Sequence, residues 1–412
     1  MFSKSKLEPI PIIMHRTLTI AAIAIVLVGT GVFAYFYFFA TRANIIVSPD
    51  NTGFPIAGQD TQSTNDNGVL TTLGAPTVVT ERLVKISKGP VVPGMVVTNI
   101  PAINASSSPD VSVSYVERQS GNIFLYIVNT GKITRTSNKT LPGIQSASWL
   151  PNASLAFVRY LSGDNLSTIN TYALLEDGSG GFFLPQNIMD ISVSSTSVLT
   201  LASGVNGSVA SVSYTDGTHT SEVFSTPLST INVSFAGKNQ YLTYTKPSAT
   251  LSGYAFIVDA AGHFSRIAGP LNGLVALPSH SGNFVLVSSS SGSGGALQMK
   301  IVSTTTGENI LLPVSTIADK CVWTADDSAI YCGIPVDPPI NYVYPDDWYQ
   351  GVVSFSDRIW KIDVAGRYAQ LVLDFPKETS KEVDIKSIAV DPLNTELVFM
   401  NKLDGSLWGY KL

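Results

Sequence analysis

The sequence predicts an all-β protein, a seven-bladed β-propeller with an N-terminal strand closing the last blade, preceded by one transmembrane helix. Three observations lead there. An uncharged 22-residue stretch runs from Leu18 to Phe39. Beyond it, an apolar strand ending in a glycine turn recurs about every 45 residues. No amphipathic helical period appears after residue 80, so those strands have no helices to pack against.

Composition narrows the class. Of 412 residues, 44% are hydrophobic and 13% charged, with 25 basic and 30 acidic side chains. Such a chain is too apolar to stay disordered. A net charge of −5 argues against a nucleic-acid binder, which would show a basic stripe. The charge is also unevenly placed. Residues 1–42 hold four basic and one acidic residue, leaving 21 basic against 29 acidic beyond them.

Taken from the N-terminus, residues 1–17 read as a cytoplasmic segment and 18–40 as the membrane helix. At 1.5 Å per residue the apolar stretch reaches about 33 Å, enough for a bilayer core. Lys4, Lys6 and Arg16 precede it and Arg42 follows, so the positive-inside rule places the N-terminus in the cytoplasm and the rest outside. Tyr35 to Phe39 suit an interfacial aromatic belt. A cleaved signal peptide has a shorter apolar core, so an uncleaved anchor is the expectation. Residues 41–80 are rich in Ser, Thr, Gly, Pro and Asn and keep no apolar period, which reads as a flexible spacer.

Residues 81–412 carry the repeat. Glycine turns close apolar strands at Gly131, Gly178, Gly217, Gly262, Gly307 and Gly366, at intervals of 47, 39, 45, 45 and 59. Glycine suits these turns because it takes positive φ without a Cβ clash. A second, polar turn recurs seven times ahead of strands such as LAFVRY, YLTYT and ELVFM. Each repeat therefore supplies about four short strands, the pattern of a propeller blade. The final repeat lacks an outer strand, and Glu81–Val97 resembles the outer strand and link of the others. Residues near 82–87 are therefore expected to pair with the C-terminal blade and remove exposed sheet edges.

The hairpins TADDSAIYCG and SSPDVSVSYV, with Trp149 and Trp323, resemble the W-S-P-D-G-x-x-I-A-Y hairpins of TolB-type and WD-repeat-like propellers. The resemblance covers residues 82–412, and most copies replace the Asp and Gly of the turn. It implies a propeller, and a binding platform in the envelope or within a complex.

Two features carry candidate chemistry. In CVWTADDSAIYC, a turn centred on Asp326-Asp327 sets Cys321 opposite Cys332, within reach of a disulfide. Two buried free thiols are the alternative, and an extracytoplasmic address would permit oxidation. The 59-residue interval reflects an insertion between Cys332 and Ser356, expected between the second and third strands of blade six. It holds Tyr342, Tyr344, Asp346, Asp347, Trp348 and Tyr349 among four prolines. Aromatic rings beside carboxylates stack on sugars or peptides and accept their hydrogen bonds. The other reading is a stiffened loop whose aromatics cap the blade. Asp346 and Asp347 would point oppositely if they lay on a strand.

No catalytic, metal or cofactor residues are singled out. A GxSxG elbow is missing, the Ser288–Gly295 run reads as a flexible turn, and His219, His263 and His280 read as exposed loop residues. Asn104, Asn138, Asn152, Asn165, Asn206 and Asn232 lie in N-x-[ST] sequons. The expected protein is a single-pass cell-membrane protein presenting its propeller outside, as a binding or scaffolding module for an envelope protein, peptide or glycan. The alternatives are a surface hydrolase or lyase on the same ring and a purely structural envelope component. No nucleic-acid partner is expected.

Overall fold

The computed structural model describes residues 76–101, 109–292 and 295–412. The expected cytoplasmic segment, the Leu18–Phe39 anchor, residues 41–75 of the spacer and the Asn104 sequon lie outside the described residues. Among the described residues, no helix is long and apolar enough to cross a membrane.

Seven antiparallel sheets form the ring, six with four strands and one with five. Blade 1 comprises Val91–Ile100, Asp110–Glu117, Ile123–Ile127 and Lys132–Arg135. Blades 2 to 6 start their inner strands at Ile144, Ile188, Ile231, Val275 and Cys321. Blade 7 is built from Ile385–Val390, Glu396–Asn401 and Leu407–Lys411, completed by Leu83–Lys85.

That completion joins distant parts of the chain. Leu83 pairs with Tyr410 and Lys85 with Trp408, while Leu83 is wholly buried and the Arg82 guanidinium sits 4.6 Å over the Tyr410 ring. Burial of the leucine alone is worth about 1.5–3 kcal/mol. Thr77–Val78, inside the stretch read as spacer, adds a fifth strand through Thr77–Lys85 and Val78–Val84 pairing.

Apolar side chains of neighbouring blades share their clusters, so the core lies between blades. Val92, Val116 and Ile123 of blade 1 pack with Ile144, Trp149 and Val158 of blade 2. Two tryptophans close inner strands equivalently. Trp149 donates through Nε1 to the Gly94 carbonyl at 3.4 Å, and Trp323 to the Leu277 carbonyl at 3.2 Å, each on the preceding blade. The recurrent glycine turns join third to fourth strands. Gly131, Gly178, Gly217, Gly262 and Gly307 have φ between 64° and 82°, whereas in blade 6 Arg367 next to Gly366 takes φ 57°.

The strands of each blade run antiparallel in chain order. Loops joining second to third strands and links between blades therefore leave from one face, and the hairpin turns leave from the other. The long insertion lies on the first of these faces, between Ala329–Pro335 and Asp357–Asp363. Its Asp346–Gln350 segment is a short helix, α1, ended by Gly351 at φ 78°. Asp346 and Asp347 are thus first-turn helical residues rather than strand neighbours. At the Ser-rich run, Ser288–Ser290 complete a buried strand, and Ser291 and Gly292 turn away from it.

Candidate functional site

The cysteines meet as their spacing predicted. Cys321 pairs with Cys332 in register, with Cα atoms 4.1 Å apart, and the two form a disulfide. This fixes the first two strands of blade 6, where the Ala318–Lys320 turn enters the inner strand.

Around that turn, charges unforeseen in sequence clamp the insertion. Lys320 is wholly buried, with Nζ 2.8 Å from Asp357 Oδ2 and 2.5 Å from Asp384 Oδ1. Trp348 donates its indole N–H to both Asp384 oxygens at 3.0 Å, and the Phe355 amide donates to Oδ2 at 3.0 Å. The Trp348 and Phe355 rings flank the Lys320 ammonium at 4.9 and 4.7 Å. Lys402 of blade 7 donates to the carbonyls of Trp348 and Val353 and lies 4.5 Å over the same indole. Two lysines thus face two aspartates, and the local charges cancel. Asp357 Oδ1 has no partner, and burial pushes that carboxyl up to about 6 against the attraction of Lys320.

Tyr344 is also buried, its hydroxyl donating to the Pro339 carbonyl at 2.5 Å. Tyr342 packs on the same apolar cluster. The Asp347 carboxylate accepts the Val343 amide at 2.8 Å. Asp346 reaches further. Its carboxylate accepts the Ala249 amide of blade 4 at 3.1 Å, which ties α1 to that blade's loop. A Cβ on Gly273, in the link into blade 5, would lie 2.8 Å from the Tyr344 carbonyl oxygen. The insertion therefore leans across blade 5 towards blade 4.

Tyr349, one residue beyond the buried Trp348, points the other way. It is 42% exposed and donates its hydroxyl to Asp319 Oδ2 at 2.7 Å. Asp319 is also exposed, yet the surrounding protein desolvates its carboxyl and raises its pKa, with the Tyr349 bond opposing. Asp319 and Tyr349 thus form a solvent-facing polar pair, and the Asp319 charge acts on Tyr244 and Asp190. Burial, then the charges of Asp319 and Asp190, hold the Tyr244 phenol well above its ordinary range. Burial likewise raises the Asp190 carboxyl, and the Asp319 charge adds to this.

The pair stands where the inner strand of blade 6 begins. Asp190 belongs to the inner-strand start of blade 3, and Asp319 immediately precedes that of blade 6. Asp190 accepts the Val233 amide of blade 4's inner strand at 2.8 Å. Arg159 stands near it, but its Nη2 donates to the carbonyls of Ile188 and Met189 at 2.7 and 2.9 Å. Among the described residues no basic side chain lies within ion-pair distance of Asp190 or Asp319.

Of the residues singled out in sequence, Tyr349 is the one that bonds Asp319. Trp348, Tyr344 and Asp347 hold the insertion in shape, and Asp346 holds it in place. Asp190, Tyr244, Asp319, Lys320 and Asp384 were missed. A signal existed for the aspartates: MDISV, ADKCV and VDIKS each place Asp just as an inner strand begins. His219, His263 and His280 sit exposed on loops, and among the described residues no three metal-ligating side chains converge.

No protein-family model matches the sequence, and no curated protein matches it. Solved structures do resemble it. An oligogalacturonate lyase from Vibrio parahaemolyticus superposes with a TM-score of 0.55 at 8% identity, over 83% of this chain and 96% of that one. An oligogalacturonate lyase in complex with manganese gives 0.52 at 9% identity, over the same shares of the two chains. Kuenenia stuttgartiensis hydrazine synthase gives 0.51 at 11% identity, covering 85% and 99%. At such identities the likeness is one of propeller fold alone.

Proposed function

We propose that this chain is a membrane-anchored, extracytoplasmic propeller that acts as a protein, peptide or glycan binding module of the cell envelope. Its recognition site is centred on the Tyr349–Asp319 pair of the loop face. The observation that carries this reading is the solvent-facing Tyr349–Asp319 pair, held by an insertion clamped through Lys320 and Asp384. Polar groups held on rigid elements are the usual arrangement for recognition. The disulfide accords with an oxidising compartment. The hairpin resemblance to TolB-type and WD-repeat-like propellers accords with a platform role.

A photoreactive residue placed at position 349 of the full chain, in native membranes, tests the site. The control carries it at Leu393, in a turn of the opposite face. Adducts are expected from position 349 and not from 393; equal labelling at both, or none at either, refutes the reading. Protease added to intact cells tests the address. It should release the propeller, and full protection refutes the extracytoplasmic placement.

A further inference from the structure

Three reactive groups converge inside the clamp. The Lys320 amine lies 2.5 Å from Asp384 Oδ1 and 2.8 Å from Asp357 Oδ2, and all three side chains are buried. The Trp348 and Phe355 rings close the site over the amine. The backbones that carry the two nearest groups are fixed as well. The Asp384 amide donates to Asn401 Oδ1 at 3.1 Å and its carbonyl accepts the Lys402 amide at 2.7 Å, while the Lys320 amide donates to the Ile317 carbonyl at 2.9 Å.

An ammonium and a carboxylate in such a place have given up their hydration, and mutual attraction returns only part of it. Passing one proton from Nζ to Asp384 Oδ1 leaves a neutral amine against a neutral acid, the form that burial favours. These are the two halves of an amide. Held in contact, they have already met the entropic cost of encounter, and the aromatic walls keep out the water that would reverse a condensation.

The remaining contacts are those that a condensation uses. Asp384 Oδ2 accepts the Trp348 indole N–H and the Phe355 amide, each at 3.0 Å, so two donors already face the oxygen that would carry charge in a tetrahedral intermediate. Asp357 Oδ1 is buried without a partner, which an ordinary ion pair leaves unexplained. A carboxyl beside the amine with one oxygen free can take a proton from nitrogen and pass it on. Burial, opposed by the Lys320 charge, holds that carboxyl up at about 6, close to where such a carrier exchanges its proton readily.

We propose that Lys320 and Asp384 condense into an intramolecular amide bond, with Asp357 as the proton carrier, so that blade 6 is joined covalently to blade 7. From the neutral pair, Nζ attacks Cγ of Asp384, the N–C bond forms and the carbonyl electron pair moves onto Oδ2. The Asp357 carboxylate takes a proton from Nζ and delivers it to the Oδ1 hydroxyl. The Cγ–Oδ1 bond then breaks, one water leaves and the carbonyl re-forms at Oδ2. Asp357 ends as the carboxylate it began as, and no oxidant or co-reactant is consumed. One cation and one anion vanish together, so the clamp stays balanced, with Lys402 against Asp357. The bond would sit beside the Cys321–Cys332 disulfide and just ahead of the Ile385–Val390 strand, in the blade that Leu83–Lys85 completes.

Mass spectrometry of the purified full chain, reduced and denatured, tests the bond. The chain should be lighter by the mass of one water, a loss absent from Lys320→Arg, which keeps the cation. Trypsin should leave residues 301–358 uncut after Lys320 and joined to residues 382–386 as one branched peptide. Separate recovery of residues 301–320 and 382–386, at full mass, overturns the proposal. A water lost within residues 301–358 while 382–386 comes free would put the bond on Asp357 and overturns it too. Asp357→Asn keeps the side chain's shape without its titration and should slow bond formation about 100-fold, read as free 382–386 in newly made protein. Full yield in that variant, folded by its circular-dichroism melt, overturns the carrier role. Should the variant not fold, the branched peptide of the parent chain still decides whether the bond exists.

Discussion

Trp348 and Tyr349 are adjacent in sequence and divided in role, so replacing them separately should give opposite results. Trp348 is 2% exposed, stacks on Phe355 with ring centroids 6.3 Å apart, and supplies a donor to the buried Asp384 carboxylate. Trp348→Ala would open a large cavity, worth about 3–5 kcal/mol in a core. It would also take a hydrogen bond from a buried charge, worth about 1.5–3 kcal/mol, and the two losses overlap. A net loss of about 4 kcal/mol is expected. With an unfolding entropy of about 2.1 cal/mol/K per residue, a ring of some 340 residues loses about 6 °C in Tm for that change. Tyr349→Phe removes one hydroxyl from a half-exposed ring and should move Tm by about 1 °C or less. Circular-dichroism melts and urea titrations of both variants measure the difference. A Trp348→Ala protein melting within 1 °C of the parent would refute the clamp. A Tyr349→Phe protein as unstable as Trp348→Ala would refute the separation of roles.

Other outcomes follow from the same contacts. Reducing the Cys321–Cys332 bond, which spans 11 residues of separation, should lower stability by about 3 kcal/mol, seen as a Tm that falls with added reductant. Leu83→Pro removes the amide that bonds the Thr80 side chain and breaks the closing strand, so a sharp drop in Tm and early proteolysis near residue 83 are expected. Unchanged melting would show that the N-terminal strand is dispensable. Burial, then repulsion from Asp391, pushes the Glu396 carboxyl up to about 8 from an ordinary 4.5. The folded state then holds a proton that the unfolded state has lost, so this group's contribution to stability falls as pH rises from about 4.5 to 8, by at most about 1.4 kcal/mol per unit. Glu396→Gln should flatten that slope in denaturant titrations across the range; an unchanged slope refutes the assignment. Gly273→Ala, at φ 62° with Ser290 Oγ 2.6 Å and the Tyr344 carbonyl oxygen 2.8 Å from the new Cβ, should loosen the insertion and raise amide exchange across residues 336–356.

The ring was legible because its signals are local and repeated. A polar turn and an alternating strand lie within a few residues of one another and return seven times, and a glycine turn accompanies six of the repeats. The opposed cysteines were legible for the same reason, since two short strands and one turn fix their register. The closing strand needed one step more, recognising that Glu81–Val97 resembles the link segments of the other repeats. The candidate site was largely hidden. Asp190 and Asp319 are 129 residues apart and stand at the starts of the inner strands of blades 3 and 6, which only the ring brings round one axis. Within the insertion, an aromatic and acidic composition gave no way to tell the anchor from the exposed side chain. Trp348 and Tyr349 part because α1 turns successive residues by about 100°, which sets the indole on Asp384 and the phenol on Asp319.

The clamp and the exposed pair also explain why the insertion is built as it is. A flexible loop bearing Tyr349 would lose conformational freedom whenever it engaged a partner, and each ordered residue costs about 1–2 kcal/mol of backbone entropy. Here that ordering accompanies folding. Lys320 and Asp384 seat the indole, Asp346 ties α1 to the Ala249 amide, and the disulfide fixes the strand pair at whose start Asp319 stands. Charges that cancel inside the clamp hold the insertion without attracting solutes, while Asp319 stands exposed with no ion-pair partner among the described residues. A partner of the kind proposed above would therefore meet a surface already in its final shape, so mutations in the clamp should weaken such binding indirectly, by lowering the fraction of chains with Tyr349 in position. Lys320→Met separates these effects. It removes a buried cation from two aspartates without touching the Tyr349–Asp319 pair, so binding and stability should fall together. Asp319→Asn should lower binding and leave Tm within about 1 °C of the parent. Were Lys320→Met to weaken capture at unchanged stability, the lysine would be acting on the partner itself and the clamp would not be a purely positioning device.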